Sequence, residues 1–411
     1  KDEGGCDAEY KTYIDLLERL QSVNAHVDAQ RCLAVRNRNI ACGRCAQACT
    51  SGCISVSNGL LNVHPEHCIG CGTCASVCPT GALSPRKPDD RALARSAAAA
   101  MRATGGTVVF ACEQLIHAAG NAINPETVVA VRCIGRVDAS LLVLLASAGA
   151  KALRLTCGNC EKCEHSPGKR VAEDICQDAN TNSLLDKAAP TQRFPKLPAY
   201  CRATRKASWD PERRAFLQSA RDLGRDAATD AAELAIDRAF DHETAVEHTR
   251  RAAMETGALP RFFPPRRAVL LDALKHMEQP EDVMIGTRVW GHAVIDDDRC
   301  SGCGMCAAFC PTGALTKRET ATPDANTWLA SRNGASHITL VHAPELCLQC
   351  RACEQLCPEH ALMLSDEVFA IDIGRGRIDE HQLRDIHRDK GGPNAIRNSM
   401  SKLINSPYVT G

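Results

Sequence analysis

Through the middle of the chain, apolar positions come in short continuous runs. "TVVFAC" (107–112), "VVAVRC" (128–133) and "ALRLTC" (152–157) are rich in β-branched residues, and each closes on a cysteine. Runs of this length and composition predict buried strands. Between them, "EQLIHAAG" (113–120) and "DASLLVLLASAG" (138–149) read as helices, the second with Asp138 as N-cap and Gly149 at its end. Strand–helix alternation predicts a small parallel sheet, because crossover connections return each strand in the same direction. Ligand sites in such sheets gather at the carboxyl ends of the strands. Cys112, Cys133 and Cys157 should therefore converge on one edge, joined by Cys160 and Cys163 of "CGNCEKC".

Beyond residue 180 the pattern changes to amphipathic helix. In "WDPERRAFLQSARDLGRDA" (209–227), Asp210 suits an N-cap and Pro211 the first turn, and Phe216, Ala220, Leu223 and Ala227 share a face. "PPRRAVLLDALKHM" (264–277) repeats the design with Leu270, Leu274 and Met277. This predicts a helical connecting arm over 181–289, a contact surface either for a partner or for the chain's own domains.

Composition then sets the chemistry. The chain has 411 residues, enough for two or three domains, and 25 of them are cysteine. They are grouped at two- and three-residue gaps, which suits chelation better than disulfide bridging. Lys+Arg and Asp+Glu both number 49, so the polypeptide is neutral, and charge gives no reason to expect nucleic acid or an anionic membrane as partner. No apolar stretch approaches a membrane span, and residues 1–30 lack the layout of a signal peptide, so a cytoplasmic location is expected.

Three cysteine runs share the spacing C-x2-C-x2-C-x3-C-P: Cys68, Cys71, Cys74 and Cys78; Cys300, Cys303, Cys306 and Cys310; Cys347, Cys350, Cys353 and Cys357. In such a run three thiolates face one cubane cluster, and the fourth, before proline, turns to the neighbouring cluster. Zinc, which wants four ligands and no crossover proline, fits this less well. The partner of run 68–78 is "NIACGRCAQACTSG" (39–52), where Asn39 stands in place of the first cysteine. Cys32 offers the missing thiolate from a longer loop, in preference to a vacant corner or to Cys53, which reads as a buried apolar cysteine.

Crossed ligation then gives four sites: Cys32, Cys42, Cys45 and Cys78; Cys68, Cys71, Cys74 and Cys49; Cys300, Cys303, Cys306 and Cys357; Cys347, Cys350, Cys353 and Cys310. "CPTGAL" recurs at 78–83 and 310–315, which marks an internal repeat. Residues 30–85 and 290–366 resemble bacterial-type two-cluster ferredoxins. The resemblance implies a βαββαβ fold, four [4Fe-4S] clusters and one-electron transfer at low potential.

Cys112, Cys133, Cys157, Cys160 and Cys163 predict a fifth iron–sulfur site, with zinc as the competing occupant. Residues 107–165, above all "CIGRVD" at Cys133 to Asp138, resemble the iron–sulfur delta subunit of methyl-viologen-reducing hydrogenase and its relatives. That resemblance implies a [2Fe-2S] cluster, although the three-cysteine loop suits a cubane equally, and it implies a catalytic partner of the hydrogenase, molybdenum- or tungsten-dependent dehydrogenase, or flavin disulfide reductase type.

The expected fold class is α+β dicluster units plus a small α/β parallel-sheet domain and a helical connecting region. The expected domains are a helical segment over 1–29, a dicluster unit over 30–88, the α/β domain over 100–180, the arm, a second dicluster unit over 290–370 and a tail over 371–411. No phosphate-binding loop, dinucleotide fingerprint or radical C-x3-C-x2-C run occurs. His117, His165, His342 and His360 carry no assigned role. The expected function is a multi-cluster electron-transfer subunit with no substrate site of its own. The alternative is a reductase acting at the middle cluster in the manner of heterodisulfide reductases.

Overall fold

The computed structural model describes residues 24–57, 59–183, 191–194, 197–202, 261–277, 282–321 and 336–383. The helical face of Phe216, Ala220, Leu223 and Ala227, like most of the expected arm and terminal segments, lies outside them. Contacts divide the chain into two units: residues 1–35, 42–242 and 265–278 form the first, and 36–41, 243–264 and 279–411 the second.

The first unit opens with β1 (Ala25–Val27), followed by helix α1 (Arg44–Ala48), the hairpin β2 (Ile54–Ser57) and β3 (Leu60–Val63), helix α2 (Thr73–Val77) and β4 (Leu83–Pro85). β1 pairs antiparallel with β4, Val27 opposite Leu83, and β2 with β3, Ile54 opposite Val63. This chain order is compatible with a ferredoxin-like unit. Ala25–Val27 is a strand of that unit, whereas sequence reading ended a helical segment at residue 29. Val27, Ile54, Leu61, Val63 and Leu83 form a core that includes the sulfurs of Cys32, Cys45 and Cys53. Two-stranded sheets are marginal alone, so this apolar centre holds them together.

Helix α3 (Asp90–Ala103) follows, capped by Asp89, whose carboxylate accepts from Ala92 N at 2.7 Å. It buries Leu93, Ala94, Ala97, Ala98 and Ala100 along one face. Then come β5 (Thr107–Cys112), α4 (Glu113–Ala119), β6 (Val129–Val131), α5 (Ala139–Ser147), β7 (Ala152–Thr156), α6 (Pro167–Ser183) and β8 (Thr191–Phe194). The four strands form one parallel sheet in the order β6-β5-β7-β8. β5, inside the sheet, keeps Val108, Val109 and Phe110 wholly out of solvent, as a strand covered on both faces should. Asp138 caps α5 by accepting from Leu141 N at 3.1 Å, and Gly149 follows it at φ +91°. β8 reads "TQRF" and carries no apolar signal by which sequence could find it.

Helix α7 (Pro265–Lys275) packs against α5. Leu270, Leu274 and Met277 are buried as expected of one face, but Val269, Leu271 and Ala273 are buried as well. This described piece of the expected arm therefore serves its own unit.

The second unit contains β9 (Met284–Gly286), β10 (His292–Ile295), α8 (Met305–Ala308), β11 (Leu315–Ala321), β12 (Ser336–His342), α9 (Ala352–Gln355), β13 (Leu362–Ser365), β14 (Glu367–Phe369) and β15 (Asp379–Leu383). β10 pairs with β13 and β11 with β12, all antiparallel, which repeats the pattern of the first unit. β15, in the segment read as a tail, adds a third strand beside β12. The repeated hexapeptide leads into β4 in one unit and β11 in the other, so it marks opposite halves of the repeat. After each fourth cysteine the chain turns through a positive φ: Gly52 at +66°, Gly81 at +63°, Gly313 at +75° and His360 at +47°.

Candidate functional site

Each cysteine run wraps a short helix. The middle thiols sit in α1, α2, α8 and α9 or just before them, and the fourth cysteine follows the helix. The turn before the helix takes left-handed backbone at Gly70 and Gly72, and again at Gly302 and Gly304. In the last run Gln349 (φ +48°) and Arg351 (φ +61°) occupy the same two positions. There side-chain bonds hold what glycine permits freely: Gln349 Nε2 donates to Thr287 O and to Asp366 Oδ1, both at 2.8 Å, and Arg351 pairs with Glu354 at 3.0 Å.

The fold gathers the thiols into groups whose charges act on one another. Around Cys45 lie Cys78, Cys32 and Cys42; burial, then repulsion from these three, pushes its thiol up to about 12. Cys32 lies at 7% exposure and has Cys78 and Cys42 as neighbours. Cys74 has Cys71, Cys49 and Cys68 around it, together with Cys45 of the first group. The Cys53 sulfur lies 3.5 Å from that of Cys49, so Cys53 borders this second group and not the first. In the second unit, Cys300, Cys303, Cys306 and Cys357 line one cavity. Cys353 lies among Cys350, Cys347 and Cys310, with Cys306 of the preceding group also in range.

The parallel sheet delivers a fifth group. Cys112 ends β5, Cys133 follows β6 by two residues and Cys157 follows β7 by one. Cys112 has Cys157 and Cys163 as neighbours, and Cys160 has Cys157, Cys112 and Cys133. Burial, then a hydrogen bond with Cys157, pushes the Cys160 thiol up to about 12. Backbone N–H groups point at the sulfurs, from Gly158 to Cys112 and from His165 to Cys163, both at 3.4 Å. Cys133 also has Cys71 of the second group within range. Contacts on both sides of Cys133 fix that approach: Ser76 of α2 donates to Arg136 O at 2.9 Å, and Arg132 donates to Ile69 O in the loop before α2.

A buried ionic network closes the same region. Asp90 accepts from Arg136 at 2.7 Å and from Arg266 of α7 through two bonds of 2.8 Å, and Arg266 lies 3.4 Å from Asp138. These residues carry no sequence motif that announces them.

Every donor in the five groups is a thiol, and no described cysteine is in a disulfide. Thiols gathered and buried in this way are a donor set whose thiolate form the iron of a cluster stabilises. The donor set fits iron–sulfur clusters. Residues 286–361 match the family described as 4Fe-4S dicluster domain, and residues 61–84 match that described as 4Fe-4S binding domain. No curated protein and no solved structure matches the chain. The chain thus carries two 4Fe-4S ferredoxin-type domains, and electron transfer is the activity they point to. Among the described residues, no helix is long and apolar enough to cross a membrane.

Proposed function

We propose that this protein is a multi-cluster electron relay. Four [4Fe-4S] clusters occupy the groups of Cys32, Cys42, Cys45 and Cys78; Cys68, Cys71, Cys74 and Cys49; Cys300, Cys303, Cys306 and Cys357; and Cys347, Cys350, Cys353 and Cys310. A fifth cluster, [2Fe-2S] by the resemblance of the middle domain, takes Cys112, Cys133, Cys157 and one of Cys160 and Cys163. The observation that carries this reading is adjacency. Cys74 neighbours Cys45 and Cys133 neighbours Cys71 in the first unit, and Cys353 neighbours Cys306 in the second, so within each unit neighbouring groups come into range through a thiol of each. Clusters held this way allow electrons to pass by short hops, and the protein tunes each potential through burial, charge and hydrogen bonds to sulfur.

A relay needs a donor and an acceptor. The proposed partner is a catalytic oxidoreductase of the hydrogenase, molybdenum- or tungsten-dependent dehydrogenase, or flavin disulfide reductase type. A reducing, anaerobic cytoplasm suits so many unpaired thiols. The test is anaerobic native purification followed by mass spectrometry and reduction of the complex by the partner's substrate. The expected result is a co-purifying catalytic subunit whose substrate reduces the clusters. A solitary chain that itself reduces a small substrate at a useful rate overturns the relay in favour of catalysis at the middle site.

A further inference from the structure

In the second unit, three strands bring together side chains that the relay does not use. His292 opens β10, His342 closes β12 and Asp379 opens β15. The pairing of β12 with β15 sets His342 directly opposite Asp379. One ligand atom from each of the three residues lies within 4.8 Å of the others. The Asp379 Oδ2 atom is 3.2 Å from His292 Nδ1 and 3.9 Å from His342 Nδ1. The two imidazoles stand edge-on, their centroids 6.2 Å apart. His342 is completely buried.

Hydrogen bonds within the protein close these groups only in part: His342 Nδ1 accepts from Ala293 N at 3.4 Å. His342 Nε2, His292 Nδ1 and Asp379 Oδ2 are buried without a hydrogen-bond partner, and so are His381 Nε2 and Asp372 Oδ1 close by. A single orphaned buried polar atom costs about 1–3 kcal/mol, so several in one small region are costly unless something binds among them. Two imidazoles and one carboxylate form a donor set suited to a borderline divalent cation. The positive charge of an ion would also offset the two carboxylates, Asp379 and Asp372, the second of which has Arg377 at 3.6 Å.

We infer that His292, His342 and Asp379 bind one zinc-class divalent ion, with Asp372 and His381 in supporting positions. Three protein ligands leave a fourth position for water or a small ligand. The site borders the fourth cysteine group: a Cβ on Gly291, next to His292, would lie 3.4 Å from the Cys347 sulfur.

The test uses the cluster-loaded full chain, dialysed anaerobically against zinc. Wild type is expected to retain one zinc per chain more than Asp379→Asn or His292→Ala, with iron and sulfide equal in all three. Absorption at the zinc edge of the wild type should show nitrogen and oxygen neighbours at about 2.0–2.1 Å. Equal zinc in wild type and both variants would overturn the inference. So would sulfur neighbours at about 2.3 Å, which would place the zinc on cysteine. Should a variant also lose iron, the wild-type spectrum alone decides. None of these readings depends on a redox partner.

Discussion

Gly168 is packed so tightly on Cys133 that a Cβ added to it would lie 2.2 Å from the Cys133 sulfur. Gly168 belongs to the first turn of α6, the helix that follows the three-cysteine loop. Gly168→Ala must therefore displace Cys133 or the start of the helix. The variant is expected to lose about two to four irons per chain, those of the middle cluster, while the ferredoxin-type electron paramagnetic resonance signals persist. Full iron content and an unaltered middle-cluster spectrum would show that Cys133 is not a ligand.

Cys32 and Cys53 compete in sequence for the corner left by Asn39, but they stand beside different groups in the structure. Cys32→Ser is expected to remove or convert the cluster of Cys42, Cys45 and Cys78. Cys53→Ser is expected to leave all clusters in place, because Cys49 already serves the group that Cys53 borders. Spectroscopy of the reduced variants checks both, and the opposite result would move the ligand to Cys53.

Asp90 lies between two guanidiniums, and the Arg136 side chain is only 4% exposed. Asp90→Asn leaves both positive charges buried and is expected to cost about 3–5 kcal/mol, measured by anaerobic denaturant unfolding. Burial raises the Asp90 pKa, but Arg266 and then Arg136 outweigh it and hold the carboxyl well below its ordinary 3.8. A depressed carboxylate contributes fully above its unfolded value and loses its contribution as pH falls toward the folded one. Stability should thus drop below about pH 4, more steeply in wild type than in Asp90→Asn.

The left-handed turn after each fourth cysteine falls on glycine three times and on His360 once. A non-glycine residue there costs roughly 1–2 kcal/mol, offset in part by the about 0.5–1 kcal/mol that glycine loses in chain entropy. His360→Gly is expected to raise the unfolding free energy by about 0.5–1 kcal/mol, with no change in iron content. A lowered midpoint would assign the His360 side chain a structural role.

Total iron offers the broadest check. Four cubanes and one smaller cluster predict about 18 irons per chain, and Mössbauer spectra distinguish a [2Fe-2S] from a [4Fe-4S] middle cluster. Fewer than about twelve irons in anaerobically purified protein would exclude four cubanes.

Much of this protein is written locally. The spacing of Cys68, Cys71, Cys74 and Cys78 is a property of one loop and one short helix, so it is legible without a tertiary structure. The same holds for the apolar runs of β5, β6 and β7, whose parallel order follows from the helices between them and whose closing cysteines therefore share an edge. What sequence could not reach are juxtapositions across long separations. Nothing near Cys133 signals that the turn after it packs on α2, 60 residues earlier, and so brings Cys71 within range. Nothing near Asp90 signals Arg266. β8 and β15 are mostly polar strands added by backbone hydrogen bonds to a sheet edge, and a single buried residue such as Leu383 leaves no hydrophobic period behind. His292, His342 and Asp379 are single polar residues in separate strands, each unremarkable in its own stretch. Only the register of β12 against β15, with β10 alongside, turns them into one group, because proximity between distant residues is decided by packing and not by spacing along the chain.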